Sequence, residues 1–148
     1  MQAILFIGIQ ATGKSTFYKE HFFHSHVRIN LDMLKTRNRE RIWLENCFTT
    51  QQRFVVDNTN PSKTVRERYI LQAKAAKFEV IGYYFESKVQ EALVRNAQRE
   101  GKANIPRKGV LACFSQLEQP SYEEGFDRLY FVKMVDGKFQ VNEWKNEI

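Results

Sequence analysis

The chain has 148 residues, 43% of them hydrophobic and 27% charged, with only three Pro and seven Gly. That is one domain's worth of ordinary globular composition; it argues against disorder, collagen and coiled coil, and no apolar run is long enough for a helix to span a membrane. The net charge of +6 is one-sided: residues 1–74 carry 12 basic and 6 acidic groups against 11 and 11 in residues 75–148, so the first half favours anionic partners such as nucleotides or nucleic acid.

Ala3-Ile4-Leu5-Phe6-Ile7 is an unbroken apolar run ending at Gly8, as expected of a buried parallel strand. A helix is predicted from Lys14 to about Phe23, a short strand over 27–30, and a helix opening near Asp32. Residues 40–52 read as helical, with Ile42, Trp43, Cys47 and Phe48 at core spacing. Phe54-Val55-Val56 is a third strand ending at Asp57, and Asn60-Pro61 opens a helix to about Lys77. Val80 to Phe85 is a fourth strand; Ser87 through Gln90 makes a capping box for a helix reaching toward Gly101. Arg107 to about Gln119 is a further helix closed by Pro120, and Leu129 to Val135 a fifth strand. Asp136-Gly137 then turns into Phe139-Gln140-Val141. Strands alternating with helices imply one α/β domain over residues 1–148, with a mainly parallel five-stranded sheet and a C-terminal β-hairpin.

Gly8-Ile9-Gln10-Ala11-Thr12-Gly13-Lys14-Ser15 fits G-x-x-x-x-G-K-[ST], with Thr16 next. An apolar strand precedes it and a helix follows, which is the context that separates a phosphate loop from a chance match. Gly8 and Gly13 permit the backbone to turn successive N–H groups around a phosphate, and the helix N-terminus adds partial positive charge. Lys14 would reach the β- and γ-phosphates of ATP, and the Ser15 hydroxyl would ligate Mg²⁺.

The fate of the γ-phosphate depends on the rest of the chain. GTPases need a base-reading Asn-Lys-x-Asp, and none is present. Motor ATPases are generally larger. Asp32, just past the second strand, lies at the sheet edge where open α/β folds bind ligands. A carboxylate there accepts the proton of an attacking hydroxyl, or it caps the next helix, and position alone does not separate the two. Asp57 ends an apolar strand as a metal-site acid does and could order Mg²⁺-bound water or contact the acceptor, whereas capping accounts for Asn60. Arg95, Arg99, Lys102, Arg107 and Lys108 against Glu100 give residues 95–108 a charge of +4, with Arg95 and Arg99 four apart on one helix face. After the fourth strand, such a segment reads as a lid that closes over ATP and supplies charge to the transition state.

Four stretches together, Gly8 to Ser15, Asn30-Leu31-Asp32, Val56-Asp57-Asn58-Thr59-Asn60-Pro61 and Arg95-Asn96-Ala97-Gln98-Arg99-Glu100-Gly101, resemble the 5′-hydroxyl polynucleotide kinase domain, in order and spacing, to about Val132. The resemblance implies a P-loop nucleotide kinase-like three-layer sandwich that moves the γ-phosphate of ATP, with Mg²⁺, to the 5′-OH end of RNA or DNA. It implies Asp32 as general base and Lys14 with the loop (Gln10, Ala11, Thr12 and neighbours) on the ATP phosphates. Arg99 would act on the transferring phosphate and Arg95 as a second phosphate or nucleotide contact, with Asp57, Thr59 and Asn60 shaping the acceptor side. Two departures stand out. Lys35 occupies the place of an arginine that contacts the acceptor's phosphate, a point charge instead of a fork, with Arg37, Arg39 and Arg41 close behind. No phosphatase or ligase module lies within these residues.

Cys47 and Cys113 sit singly in helix-like stretches and imply neither a disulfide nor zinc; with no signal segment visible at Met1, they fit a reducing, cytoplasmic setting. His21, His24 and His26 read as helix-end histidines, and Tyr122 and Phe126 as core or nucleobase contacts. Two other functions fit the same loop: a kinase of a small metabolite or nucleoside, and an ATP-hydrolysing module that works through a partner.

Overall fold

The computed structural model describes residues 1–101 and 104–145. Apolar runs without a polar residue form the inner strands of a sheet covered on both faces. β1 (Gln2–Ile7) lies at its centre between β3 (Phe54–Val56) and β4 (Glu79–Phe85), with β2 (Val27–Ile29) outside β3 and β5 (Arg128–Val135) outside β4, all parallel. β6 (Lys138–Glu143) returns antiparallel on β5. Asp136 and Gly137 join them at φ 51° and 74°, the pair of positive values that a two-residue hairpin requires. The hairpin's second strand therefore extends the expected five-stranded sheet to six, in the order β2-β3-β1-β4-β5-β6.

Alternation along β1 divides the core. Ala3, Leu5 and Ile7 pack with Leu44, Tyr69, Ile70 and Ala73 of α3 (Arg37–Thr50) and α4 (Lys63–Ala75). Ile4 and Phe6 face the other way, onto Phe17, Tyr18 and Phe22 of α1 (Lys14–His21) and the residue after it. There the Phe6 ring centroid lies 5.0 Å from Phe85 and 5.8 Å from Phe17, edge-on in both cases. Helices thus cover both faces, giving the three-layer P-loop kinase-like architecture. A third apolar cluster, Ile9 with Ala92, Leu93 and Val110, seats α5 (Val89–Ala97) and α6 (Arg107–Gln116) beside the loop after β1.

Several local expectations change. Ile42 and Trp43 are 42% and 49% exposed. α3 begins earlier, behind a Thr36 N-cap, and its inward positions are Glu40, Leu44 and Cys47. Glu40 takes an inward place because hydrogen bonds satisfy it, which apolar periodicity does not register. Ser87 forms no capping box: its hydroxyl donates to Phe85 O at 2.9 Å and accepts from Ile9 N at 3.2 Å, while Lys88 begins α5 without a side-chain cap. Asn60 does not start α4 either. Ser62 is the N-cap, accepting from Val65 N, and Asn60 stands two residues outside with φ 45°. Phe126 is core, whereas Tyr122 sits half exposed on a short 3-10 turn beside α4, outside the cavity walls described below.

Candidate active site

A cavity of about 450 Å³ opens at the C-terminal edge of the parallel strands. Its floor is the phosphate loop. Gly13 has φ 94°, and a Cβ there would come within 2.8 Å of the Phe139 ring, so both the conformation and the space exclude a side chain. As N-cap of α1, Gly13 offers no side-chain oxygen, and the first turn holds no acid. The first N–H groups of the helix are left for an anion. Loop carbonyls are tied away from the cavity's ligands instead: Ile9 O accepts from Thr12 Oγ1 at 2.9 Å and from Lys14 Nζ at 2.7 Å, and Ala11 O accepts from Arg95 Nε at 2.8 Å. Removal from water, helped by the nearby Arg99, brings the Lys14 pKa down to about 8 against the opposing pull of Asp57 and Asp32.

Asp32 reaches the cavity from α2 (Leu31–Leu34), and two asparagines place it. Asn30 caps this short helix, accepting from Met33 N at 3.0 Å, and donates to Asp57 O at 2.6 Å. Asn58 accepts from Leu31 N at 2.9 Å and donates to Glu40 Oε2 at 3.1 Å. The buried Glu40 is completed by Tyr69 OH and Arg37 Nη1, each at 3.0 Å from its Oε1. Asp32 is therefore not the N-cap, and its exposed carboxylate faces the cavity.

Asp57 is buried at the end of β3, where its Oδ2 accepts from Ser15 Oγ at 3.2 Å and from Arg28 Nε at 2.8 Å. A hydroxyl and a carboxylate are hard oxygen donors, and beside a phosphate site their convergence fits Mg²⁺. Behind them Gly8 N donates to Thr59 O at 3.0 Å, joining the phosphate loop to the loop after β3. That second loop is gripped by the fully buried Arg66, whose Nη1 donates to Asn60 O (2.9 Å) and Pro61 O (3.0 Å) and whose Nε and Nη2 pair with Glu124. Cys113 lies next to Thr59 and Lys14; burial raises its pKa, so it stands there as a neutral thiol.

Of the residues singled out from sequence, Gln10, Ala11, Lys14, Ser15, Asp32, Asp57, Thr59 and Arg99 line this one cavity. Thr12 and Arg95 instead line a small recess on the far side of the loop with Met134 and Phe139. Arg95 and Arg99 do not share a helix face, because α5 ends at Ala97. Asn96 turns its side chain onto the backbone of Ile105 there, donating to its O and accepting from its N, and Arg99 follows in the loop. Arg107 and Lys108 are exposed at the start of α6, and Lys102 lies outside the described residues. Thr16 is exposed on α1, and Lys35 caps the end of α2 with φ 77°, neither on the cavity wall. Asn60 is buried behind the wall with its Nδ2 on Phe6 O at 2.7 Å. Sequence patterns did not single out Arg28, Arg66, Asn58 as a bridge, or Ser87 as a partner of the phosphate loop. A charged residue inside the apolar Val27-Arg28-Ile29 strand is the one signal that could have pointed to the first of them.

A family model described as AAA domain matches residues 4–120. A protein of Acanthamoeba polyphaga mimivirus named bifunctional polynucleotide phosphatase/kinase is 28% identical over 160 aligned residues, which cover 97% of this chain and 36% of that one. A bifunctional polynucleotide phosphatase/kinase of Schizosaccharomyces pombe is 24% identical over 129 residues, covering 84% and 32%. The chain thus spans about a third of the length of the curated relatives it matches. A gluconokinase of Sinorhizobium meliloti 1021 shares the fold at TM-score 0.62 and 17% identity, over 89% of this chain and 82% of its own.

Proposed function

The chain belongs to the AAA domain family, its phosphate loop and fold are those of a P-loop kinase, and we propose from that premise that it transfers the γ-phosphate of ATP to the 5′-hydroxyl end of a polynucleotide. One observation carries the reading: Lys14, Asp32 and Arg99 line a single cavity although they lie on three separate segments. Lys14 and the N-terminus of α1 hold the ATP phosphates. Ser15, with Asp57 behind it, would hold Mg²⁺, which when bound would neutralise charge on those phosphates. Asp32 takes the proton from the acceptor hydroxyl as its oxygen bonds to the γ-phosphorus; the bond to the bridging β,γ-oxygen breaks and ADP leaves. Arg99 stabilises the charge spread over the equatorial oxygens. The segment 95–108 serves as the lid.

The names of the two curated relatives support a polynucleotide acceptor, and so does the surface beyond Asp32. A second cavity of about 320 Å³ between α3 and α4 is lined by Arg37, Arg41 and Arg68 with Tyr69 and Gln72. Its wall meets the first cavity through the Asn58–Glu40 bond at 3.1 Å. Arg37 is paired with Glu40 and Arg41 with Glu45, so the positive charge this groove adds where a strand leaving the site would run comes through Arg68, which lies over the Tyr69 ring.

Incubation with γ-labelled ATP and, side by side, 5′-hydroxyl RNA, 5′-hydroxyl DNA and nucleosides tests the proposal. Label should appear on the oligonucleotide end, with an apparent KM that rises steeply with salt. Label released only as inorganic phosphate would make the chain a hydrolase. Label on the nucleoside alone, indifferent to salt, would make it a small-molecule kinase.

A further inference from the structure

Arg28 reaches the phosphate loop from β2 and joins the two side chains that suit a metal. Its Nε donates to Asp57 Oδ2 at 2.8 Å and its Nη2 to Ser15 Oγ at 3.0 Å. Ser15 Oγ donates its proton to Asp57 Oδ2 at 3.2 Å, closing a triangle of hydroxyl, carboxylate and guanidinium. The arginine is held in this position: its Cζ lies 6.0 Å from the centroid of the Tyr18 ring, and the Tyr18 hydroxyl is fastened to His26 O at 2.6 Å. The Arg28 side chain is 28% exposed, so this is a built contact within the site and not a surface ion pair. A guanidinium has no lone pair to offer a metal and brings a full charge that never titrates away. The Ser15 oxygen, with its proton on Asp57, has one of its two lone pairs engaged by Arg28, so a divalent ion approaching the other meets the guanidinium's charge at close range.

From this geometry we infer that Arg28 is the resident cation of the metal site. It gathers Ser15 and Asp57 before nucleotide arrives, supplies positive charge to phosphate when no metal is present, and must release Ser15 Oγ before a divalent ion is held there. The inference rests on the reading of the loop as a site for nucleotide with Mg²⁺ and is independent of the acceptor. Two cations near one hydroxyl repel, so the presence of the first reduces what the second adds. In the wild-type protein, ADP binding should therefore depend only modestly on Mg²⁺. Without the guanidinium, metal-free ADP binding should weaken, while Mg²⁺ finds Ser15 and Asp57 free and couples more strongly.

ADP dissociation constants measured by calorimetry in EDTA and in saturating MgCl₂ test this for wild type, Arg28→Gln and Arg28→Lys. The ratio of the two constants should rise roughly tenfold in Arg28→Gln, within the usual range of coupling between sites, and less in Arg28→Lys. An unchanged ratio in a folded Arg28→Gln protein would overturn the inference and leave Arg28 as a structural partner of Asp57. A second measurement needs only the wild-type protein. Its Arg28 Nε–H resonance, identified by its loss in Arg28→Lys, should move strongly on adding ADP with Mg²⁺, as Arg28 is displaced, and less with ADP in EDTA, where the bond to Asp57 is kept. The same shift in both would equally overturn it. Absence of ADP binding under any condition would refute the phosphate-loop reading itself, a failure distinct from that of Arg28.

Discussion

The two walls of the main cavity, which the proposed function assigns to phosphate donor and acceptor, are built in opposite ways. The donor wall is eight consecutive residues, Gly8 to Ser15, whose shape follows from two glycines, a preceding buried strand and the first turn of α1. The acceptor wall gathers Asp32 from α2, Asp57 and Thr59 from the loop after β3, and Arg99 from the loop after α5. Nothing local holds those residues together. Asn30, Asn58 and Arg66 do so for the first three, each bridging elements far apart in the chain, while Arg99 follows α5, whose end Asn96 ties to Ile105. A contiguous wall carries its chemistry wherever its motif occurs, whereas a dispersed one exists only while its cross-links hold.

The sharpest separation of the walls is Asp32→Asn. The amide keeps the shape but cannot accept the hydroxyl's proton, so single-turnover transfer should slow by roughly 10²–10⁴-fold while ATP affinity stays within a factor of about two. Transfer near the wild-type rate would remove Asp32 from the chemistry, and an equal loss of ATP affinity would mean that the walls do not act separately.

Arg66→Ala attacks the cross-link behind both walls. It leaves the nearly buried Glu124 with only Ser121 N on its carboxylate and takes the guanidinium from Asn60 O and from Pro61 O, which keeps Glu118 N, next to the Thr59 carbonyl that receives Gly8 N. Urea unfolding should show a loss of about 3–5 kcal/mol, typical of breaking a buried ion pair. A loss below about 1 kcal/mol would show that the acceptor wall is held by other means.

The smallest effect concerns the donor wall alone. Lys14 titrates at about 8 in the free protein, and phosphate favours its charged form. Its contribution to ATP binding is thus complete below that value and is lost as pH rises through it, by roughly tenfold at one unit above. The dissociation constant followed from pH 7 to 9 in wild type and Lys14→Gln measures this; a wild-type profile parallel to that of the variant would assign the change to another group.

The limits of sequence reading follow the same division. The phosphate loop, the strand ends at Asp57 and Phe85, and the hairpin turn at Asp136-Gly137 were legible because each depends on residues adjacent in the chain. Ser87 and Asn60 were misread as caps for the same reason. Their local context matched a capping pattern, but the P-loop amide of Ile9 claimed one and the carbonyl of Phe6 the other. On α3, Cys47 and Phe48 face the core as expected, but Glu40 and Leu44 take the inward places in the earlier turns, and Glu40's place was not legible because its partners Tyr69 and Asn58 are 29 and 18 residues away.

What the sequence alone determined is therefore the class of fold and the place of the phosphate loop within it, since apolar periodicity and a glycine-framed loop act over a few residues. The tertiary structure decided which charged groups meet: Arg28 on Ser15 and Asp57, Arg95 on the back of the loop, Arg99 in the cavity. A polar side chain's partner depends on distances between elements that no local pattern encodes, and burial then makes leaving it unpaired too costly for any other arrangement.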